Sequence, residues 1–314
     1  MKAAVIQAFG DTDQIEIVDI PQPVPQPDEV LVRVKAAAVN PKDTFIRKGY
    51  LKKYTGADFP MLTGFDFAGE VAALGAEAVE PKVGAAVFGM LDGWEGKTCA
   101  EYLAVKAHQL AVMPADLSFE EAAALPLVCS TALQALRDQA GIKPGHTVCI
   151  NGAAGGVGSA AVQIAKILGA GVTAIGSAGN HDFLRELGAD HCVDYNVEDI
   201  TVSERRFDIF FDVFGNQPFD NIKPILEPKG VWVSTVLQSH VFKSVEATKG
   251  STGKKAQLVI VAARRNDLDQ IRQWVEAGQL KPIIHATYPL EGLRDAHIQQ
   301  ESKHTRGKLI IRID

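Results

Sequence analysis

Cysteine is scarce and poorly spaced for chemistry. Cys99, Cys129, Cys149 and Cys192 form no C-x-x-C pair, and none stands at a usual ligand spacing from a histidine. A disulfide framework and a structural zinc are both disfavoured, and all four read as buried small hydrophobes. Long apolar runs are also missing. A membrane span takes about 18 uninterrupted apolar residues. The most apolar stretch, 160–175, is broken by Gln163, Lys166, Gly169 and Gly171. The opening MKAAVIQAFGD is too short in apolar residues for a secretory signal, so the expected location is cytoplasmic. Positive charge is not in excess. The formal net charge is −6 and the pI about 5.8, which weighs against a nucleic-acid partner. No repeat of solenoid length and no G-x-S-x-G elbow occurs, and the eight histidines fall at no ligand spacing.

What is present is ordinary globular composition, 46% hydrophobic and 22% charged, over 314 residues. That length suits about two domains. Residues 1–116 read as mostly β. Val30, Val32 and Val34 alternate with Leu31, Arg33 and Lys35, giving a face of period two. Prolines 21, 23, 25 and 27 mark an extended connector. Short glycine-punctuated runs at 64–74, 83–90 and 100–105 suggest a small barrel-like β domain.

Near residue 117 the texture changes. Ser118 and Glu121 form a capping-box pattern. Strands are then expected at 147–151, 171–175, 191–195, 207–213 and 231–236, with helices at 159–168 and 181–187. This alternation predicts βαβ units on a parallel sheet over 117–256. The basic stretch 243–255 reads as a solvated loop. After it, a helix is expected at 266–277, capped by Asn266 and ended by Gly278, with a last strand at 308–313. Residues 257–314 are expected to return to the first domain.

The strongest motif is Gly152-Ala153-Ala154-Gly155-Gly156-Val157-Gly158, which follows a strand and opens a helix. Such a turn seats a pyrophosphate on free N–H groups at a helix N-terminus. Aligned to G-x-G-x-x-G, its key positions are Ala153, Gly155 and Gly158. Ala153 departs from the pattern, Gly155 permits close approach, and Gly158 lets helix and strand pack. The second strand of such a unit ends at the ribose site. There the chain reads Ser177-Ala178-Gly179-Asn180-His181, with no carboxylate before Asp182 and no Lys or Arg before Arg185. NADPH is therefore favoured, with NADH the alternative. Ser177 is a candidate phosphate donor and Asn180 a second contact.

Further segments carry a resemblance. They are Val39-Asn40-Pro41-Lys42-Asp43, residues 60–71, residues 122–133, the turn 152–158, Leu187-Gly188-Ala189-Asp190 and Gly307-Lys308-Leu309. In this order the chain resembles a zinc-independent medium-chain dehydrogenase/reductase of the quinone oxidoreductase group. The resemblance implies an α/β fold, with a GroES-like β-rich catalytic domain made by both chain ends and a doubly wound Rossmann domain between them. It also implies a homodimer and a nicotinamide held in the cleft.

Zinc members place a cysteine at the position of Asn40 and a His-Glu pair at Phe65 and Asp66, so the ligand set is lost here. By resemblance Asn40 and Asp43 lie beside the nicotinamide, Asn40 also counting as catalytic, and Thr131 touches its ring or amide. Ala154, Gly155, Gly156 and Val157 hold the pyrophosphate. Tyr195 stacks near the adenosine 2′-phosphate. Phe214, Gly215, Val236 and Leu237 line the groove, and Arg306 and Lys308 sit near the cleft. Tyr50 occurs where related enoyl reductases carry a tyrosine donor; the alternative role is a pocket wall, and Tyr54 is a weaker candidate. Tyr102-Leu103-Ala104-Val105-Lys106 matches Y-x-x-x-K, but it precedes the glycine turn and reads as a strand.

The implied activity is metal-free hydride transfer from NADPH to quinones or α,β-unsaturated carbonyls. The alternative is a nucleotide-binding scaffold with little turnover. No nucleic acid and no membrane span are expected.

Overall fold

The computed structural model describes residues 1–314. The chain divides into two compact units, Met1–Ser130 with Ala262–Asp314, and Thr131–Val261. These divisions fall later than the sequence boundaries at 116/117 and 256/257. The helix Phe119–Ala123 keeps its Ser118–Glu121 capping box but buries Ala122 and Ala123 against the first unit. It packs on strands Glu29–Val39 and Asp66–Leu74. At the other end Val259 N–H donates to Ser234 O at 3.0 Å, holding that residue to the second unit.

In the first unit, strand Glu29–Val39 is central. Val30, Val32 and Val34 are fully buried, as their period-two spacing predicts; of the alternating residues Arg33 is exposed and Lys35 half-buried, but Leu31 is buried as well. Asp66–Leu74 pairs along one edge of it. The other edge is shared. Tyr102–Lys106 pairs with residues 29–33, and the last strand Lys308–Arg312 pairs with residues 36–39. The chain's tail is thus hydrogen-bonded to its beginning. Residues 102–106 form a strand, so the Y-x-x-x-K spacing has no helical face. A second sheet, in the order Ile15–Asp19, Lys2–Ile6, Met61–Leu62, completes the unit.

The second unit is a six-stranded sheet, and every pairing in it is parallel. Its order is His191–Val193, Gly171–Ile175, Thr147–Asn151, Phe207–Asp212, Leu226–Ser234, Lys255–Leu258. Numbered within the unit this is 3-2-1-4-5-6, the doubly wound order, and the direction of winding reverses between Thr147–Asn151 and Phe207–Asp212. The helix Gly156–Ile167 is apolar apart from Ser159, Gln163 and Lys166, and residues 158–165 are buried, Ser159 and Gln163 included.

Two expectations are corrected. The basic stretch 243–255 is a loop only over 249–254, which holds Lys249 and Lys254: Ser239–Thr248 is a helix and Lys255–Leu258 a strand. Val241 and Val245, one helical turn apart, pack on the core and decide the matter over the surrounding lysines. Asn266 is not the cap of the helix Arg265–Glu276. Arg264 occupies that position, because its carbonyl already accepts the Asp267 N–H at 3.0 Å.

Candidate functional site

In the second unit the candidate residues gather at the carboxyl ends of the strands. Gly152 turns with φ +80° after strand Thr147–Asn151. A Cβ on Gly158 would stand 2.2 Å from Gly152 O and 2.6 Å from Ala153 Cα, so helix and turn touch there. Gly155 is different. It has φ −73° at the N-cap, and a Cβ would meet only Gly152 O at 3.6 Å. No side chain caps the helix. No side chain therefore competes for the first-turn N–H groups of Gly156 and Val157, and the positive end of the helix dipole lies behind them. Ala153, which breaks the strict glycine pattern, is fully buried and donates its N–H to Ile175 O at 3.1 Å. Its methyl faces the core, where it does not obstruct the turn.

Phe214 and Gly215 follow the fourth strand, and Val236 and Leu237 follow the fifth. A Cβ on Gly152 would meet Phe214 Cβ at 3.1 Å, and one on Gly215 would meet Val236 Cγ1 at 2.4 Å. The glycine turn and these two loops thus form one rim. Phe214 is half exposed. Thr131 is buried at the start of this unit.

Beneath the rim, at the winding reversal, lies a pair that sequence reading missed. Asn151 Nδ2 donates to Asp212 Oδ1 at 2.7 Å and to Asn216 Oδ1 at 2.7 Å. The Asp212 carboxylate also accepts the N–H groups of Gly215 (2.9 Å) and Gln217 (3.0 Å). Burial raises its pKa against these bonds. The available signal was an aspartate closing an otherwise apolar strand, Phe207-Asp208-Ile209-Phe210-Phe211-Asp212.

At the ribose end Asn180 Nδ2 donates to Ser177 Oγ at 3.1 Å. Gly176 N–H donates to Val193 O at 3.0 Å, two positions before the exposed Tyr195. One premise is corrected here. The loop 177–181 does have a carboxylate beside it, Asp194, which accepts the Ala178 N–H. Hydrogen bonds from the Asn196 backbone and amide hold its pKa low, so it is ionised. Parallel pairing of strands two and three delivers this charge from outside the local sequence.

In the first unit Asn40, Asp43 and Lys308 come together in a buried network. Asn40 precedes the short helix Pro41–Arg47, and Asp43 reaches back to accept its N–H at 2.8 Å. Asp43 also accepts from Gly64 N at 3.1 Å and Thr63 Oγ1 at 3.4 Å. Burial pushes its pKa up to about 6, against the pull of these bonds, of Lys308 and of Lys42. Lys308 Nζ donates to Asn40 Oδ1 (2.6 Å), Val39 O (3.0 Å) and Asp66 Oδ2 (3.2 Å). Asn40 Nδ2 donates to Asp66 Oδ2 at 2.8 Å, and Leu127 N–H to Asp66 Oδ1 at 2.7 Å.

An ammonium has three N–H groups, and all three of Lys308 are used inside the protein. The residues at the zinc positions therefore do not fit a metal. Asn40 and Phe65 offer neither thiolate nor imidazole, and the one carboxylate, Asp66, is already neutralised by a lysine.

Tyr50 is not part of this network. It is 73% exposed, with its ring tilted against that of Phe45, centroids 6.2 Å apart. Arg306 is exposed at the start of the last strand. Sequence reading also passed over Lys42. Its Nζ donates to Gly93 O and lies 3.7 Å from the Phe65 ring centroid and 4.8 Å from that of Trp94. Trp94 in turn stacks on Tyr54, centroids 4.8 Å apart at 22°.

The sequence profile of the alcohol dehydrogenase GroES-like domain matches residues 26–115, and that of the zinc-binding dehydrogenases matches 187–311. A chloroplast envelope quinone oxidoreductase homolog of Arabidopsis thaliana is 32% identical, over 96% of this chain and 95% of that protein. The mitochondrial NAD(P)H oxidoreductase of Bos taurus is 30% identical, over 100% of this chain and 89% of its own. Among solved structures, the quinone oxidoreductase of Coxiella burnetii superposes with a TM-score of 0.91 at 31% identity, covering 100% of this chain and 99% of that one.

Proposed function

We propose that this chain, which belongs to the zinc-independent, quinone oxidoreductase-like group of the medium-chain dehydrogenase/reductase superfamily, is an NADPH-dependent oxidoreductase that reduces quinones or α,β-unsaturated carbonyls without a metal. The named relatives share an oxidoreductase role, and the Bos taurus protein is named for NAD(P)H. The observation that carries the reading is the bare, uncapped helix start at 155–157, at the point where the sheet's winding reverses.

The cradle fits a dinucleotide. Gly156 and Val157 N–H groups would hold the pyrophosphate, with Ala154 and Gly155 leaving room for it. Phe214, Gly215, Val236 and Leu237 would line the groove, with Thr131 at its nicotinamide end. Ser177, Asn180 and Tyr195 would meet the adenosine ribose and its phosphate. When bound, reduced nicotinamide supplies a hydride. The chain's own part is to orient the acceptor, exclude water and meet charge that develops on oxygen. Asn40, Asp43 and Lys308 are proposed as the rigid polar floor beside the reacting ring, since their polar groups are held internally. A quinone is itself a conjugated enone, so one site chemistry serves both acceptor classes.

The preference for NADPH rests on the hydroxyl and amide of Ser177 and Asn180 at the ribose loop, with Asp194 as the opposing charge. A cytoplasmic location and a homodimer belong to the same proposal. No helix is long and apolar enough to cross a membrane, and all four cysteines are free thiols.

The test is NADPH oxidation with and without 1,4-benzoquinone, alongside calorimetry of NADPH and NADH binding. Acceptor-dependent oxidation with tighter NADPH binding is expected. Tight binding without oxidation favours the scaffold, and no binding removes the redox role. Stoichiometric zinc together with oxidation of simple alcohols would overturn the metal-free part.

A further inference from the structure

We propose that Lys42 is the proton donor to the carbonyl acceptor, and that the Tyr54–Trp94 stack is the flat wall on which the acceptor's conjugated ring lies. This rests on the oxidoreductase reading above and names the substrate contacts that the reading lacks.

Two lysines of the first unit belong to the segments around Asn40, and they differ in what their ammonium groups meet. Lys308 is 4% exposed and has spent its three N–H groups on three oxygens. Lys42 has one oxygen acceptor, Gly93 O, and otherwise faces the rings of Phe65 and Trp94. A ring face is a weak acceptor, which a carbonyl oxygen can displace. Lys42 is half-buried, and Tyr54 keeps 44% exposure, so ammonium and aromatic stack are both reachable from solvent. A donor beside a stacked aromatic pair suits a planar ring that carries a carbonyl. Tyr50, the donor candidate from sequence, lies outside this arrangement.

The electrostatics suit the task. Burial brings the Lys42 pKa down to about 8, although Asp43 from its own helix, Asp66 from the adjoining strand and Asp92 from the facing loop all pull it up. That loop's other charges, Glu95 and Lys97, pair with each other at 3.3 Å. A group that exchanges its proton near working pH is an effective general acid.

The step balances. As the acceptor takes a hydride from bound reduced nicotinamide, its conjugated π electrons move onto the carbonyl oxygen. A new O–H bond forms there as one Lys42 N–H bond breaks. The amine left behind regains a proton from water.

The test uses the full-length chain and the variants Lys42→Met, Lys42→Arg and Trp94→Phe, each checked by thermal melting. Lys42→Met should lose about 100-fold in kcat/KM for 2-cyclohexenone. The wild-type rate, falling as pH rises through about 8, should become flat in it. Lys42→Arg should move that fall to higher pH, and Trp94→Phe should raise KM several-fold with the pH midpoint kept.

A second measurement needs no turnover. Acetylation of Lys42 by an N-hydroxysuccinimide ester, followed by mass spectrometry, should rise with a midpoint near pH 8 and be slowed at least five-fold by saturating hydroquinone. A Lys42→Met enzyme within two-fold of wild type with the same pH profile, or labelling indifferent to hydroquinone, overturns the proposal and leaves the oxidoreductase reading standing. A wild type that oxidises no reduced nucleotide, yet whose Lys42 is protected by hydroquinone, overturns that reading and the proton-transfer role while supporting the ring-binding site.

Discussion

Lys308 and Asp66 are 242 residues apart in the chain and 3.2 Å apart in the fold, Nζ to Oδ2. Both are buried, with side chains 4% and 0% exposed. A buried pair of this kind gives little net stability, but removing one partner strands the other charge.

Lys308→Met should therefore destabilise the chain by about 3–5 kcal/mol at pH 7. The double variant Lys308→Met/Asp66→Asn should recover part of the loss, because no uncompensated carboxylate remains. Urea unfolding followed by circular dichroism measures both. A single variant as stable as wild type would mean that loss of Lys308 strands no buried charge at Asp66.

The two glycines of the turn should separate binding from folding. Gly155→Val places its Cβ at an ordinary contact distance, 3.6 Å, with a φ that any residue adopts. It should fold with an unchanged Tm and lose at least about 30-fold in NADPH affinity, roughly 2 kcal/mol. Gly158→Val puts a Cβ 2.2 Å from a backbone oxygen and should cost about 3 kcal/mol or more of stability. Melting curves and calorimetry on the pair decide the point, and equal Tm values would contradict it.

Asp194 is expected to tune the choice of nucleotide. Its carboxylate accepts the Ala178 N–H in the loop proposed for the ribose, where it would repel a 2′-phosphate. Asp194→Asn should lower KM for NADPH several-fold and leave KM for NADH nearly unchanged. Steady-state kinetics with both nucleotides gives the ratio. An unchanged ratio would place the phosphate elsewhere.

His297 and Asp43 act on stability in opposite senses. Burial, and then the neighbouring Arg47, lower the His297 pKa to about 3, against 6.5 when unfolded. Its contribution is whole above pH 6.5 and falls by about 1.4 kcal/mol per pH unit on acidification. Asp43, raised to about 6 from 3.8, makes the fold relatively more stable as pH drops through that window. Between pH 6 and 4 the two nearly cancel. His297→Gln removes the first, so relative to wild type it should gain about 1.4 kcal/mol for each unit of acidification from pH 6 to 4. Unfolding titrations at three pH values test this, and a pH-independent difference would refute it.

Legibility in the sequence followed the range of the interaction. Strands Thr147–Asn151 and Gly171–Ile175 match their expected limits, since short apolar runs bounded by turn residues declare themselves locally. The helix Ser239–Thr248 did not, because two valines outweigh its polar surface only once the core exists. The glycine turn was readable because backbone shape is coded in place. Asp194 and Asp212 were not, since strand pairing alone decides whom they face. Lys42 stood inside a recognised segment, but its character comes from Phe65 and Trp94, 23 and 52 positions on.

The hydrogen-bonding of Lys308–Arg312 to Glu29–Val39 has a bearing on synthesis. Thr131–Val261 holds all the strands of its own sheet and can close as soon as it leaves the ribosome. The unit around Asn40 and Asp66 waits for the last seven residues, 308–314, to emerge. Until then Asp66 has no counter-ion and an edge of the central strand is bare. A nascent chain stalled short of position 308 would thus display one finished lobe and one open one, a state in which chaperone capture and proteolysis concentrate on the part made first.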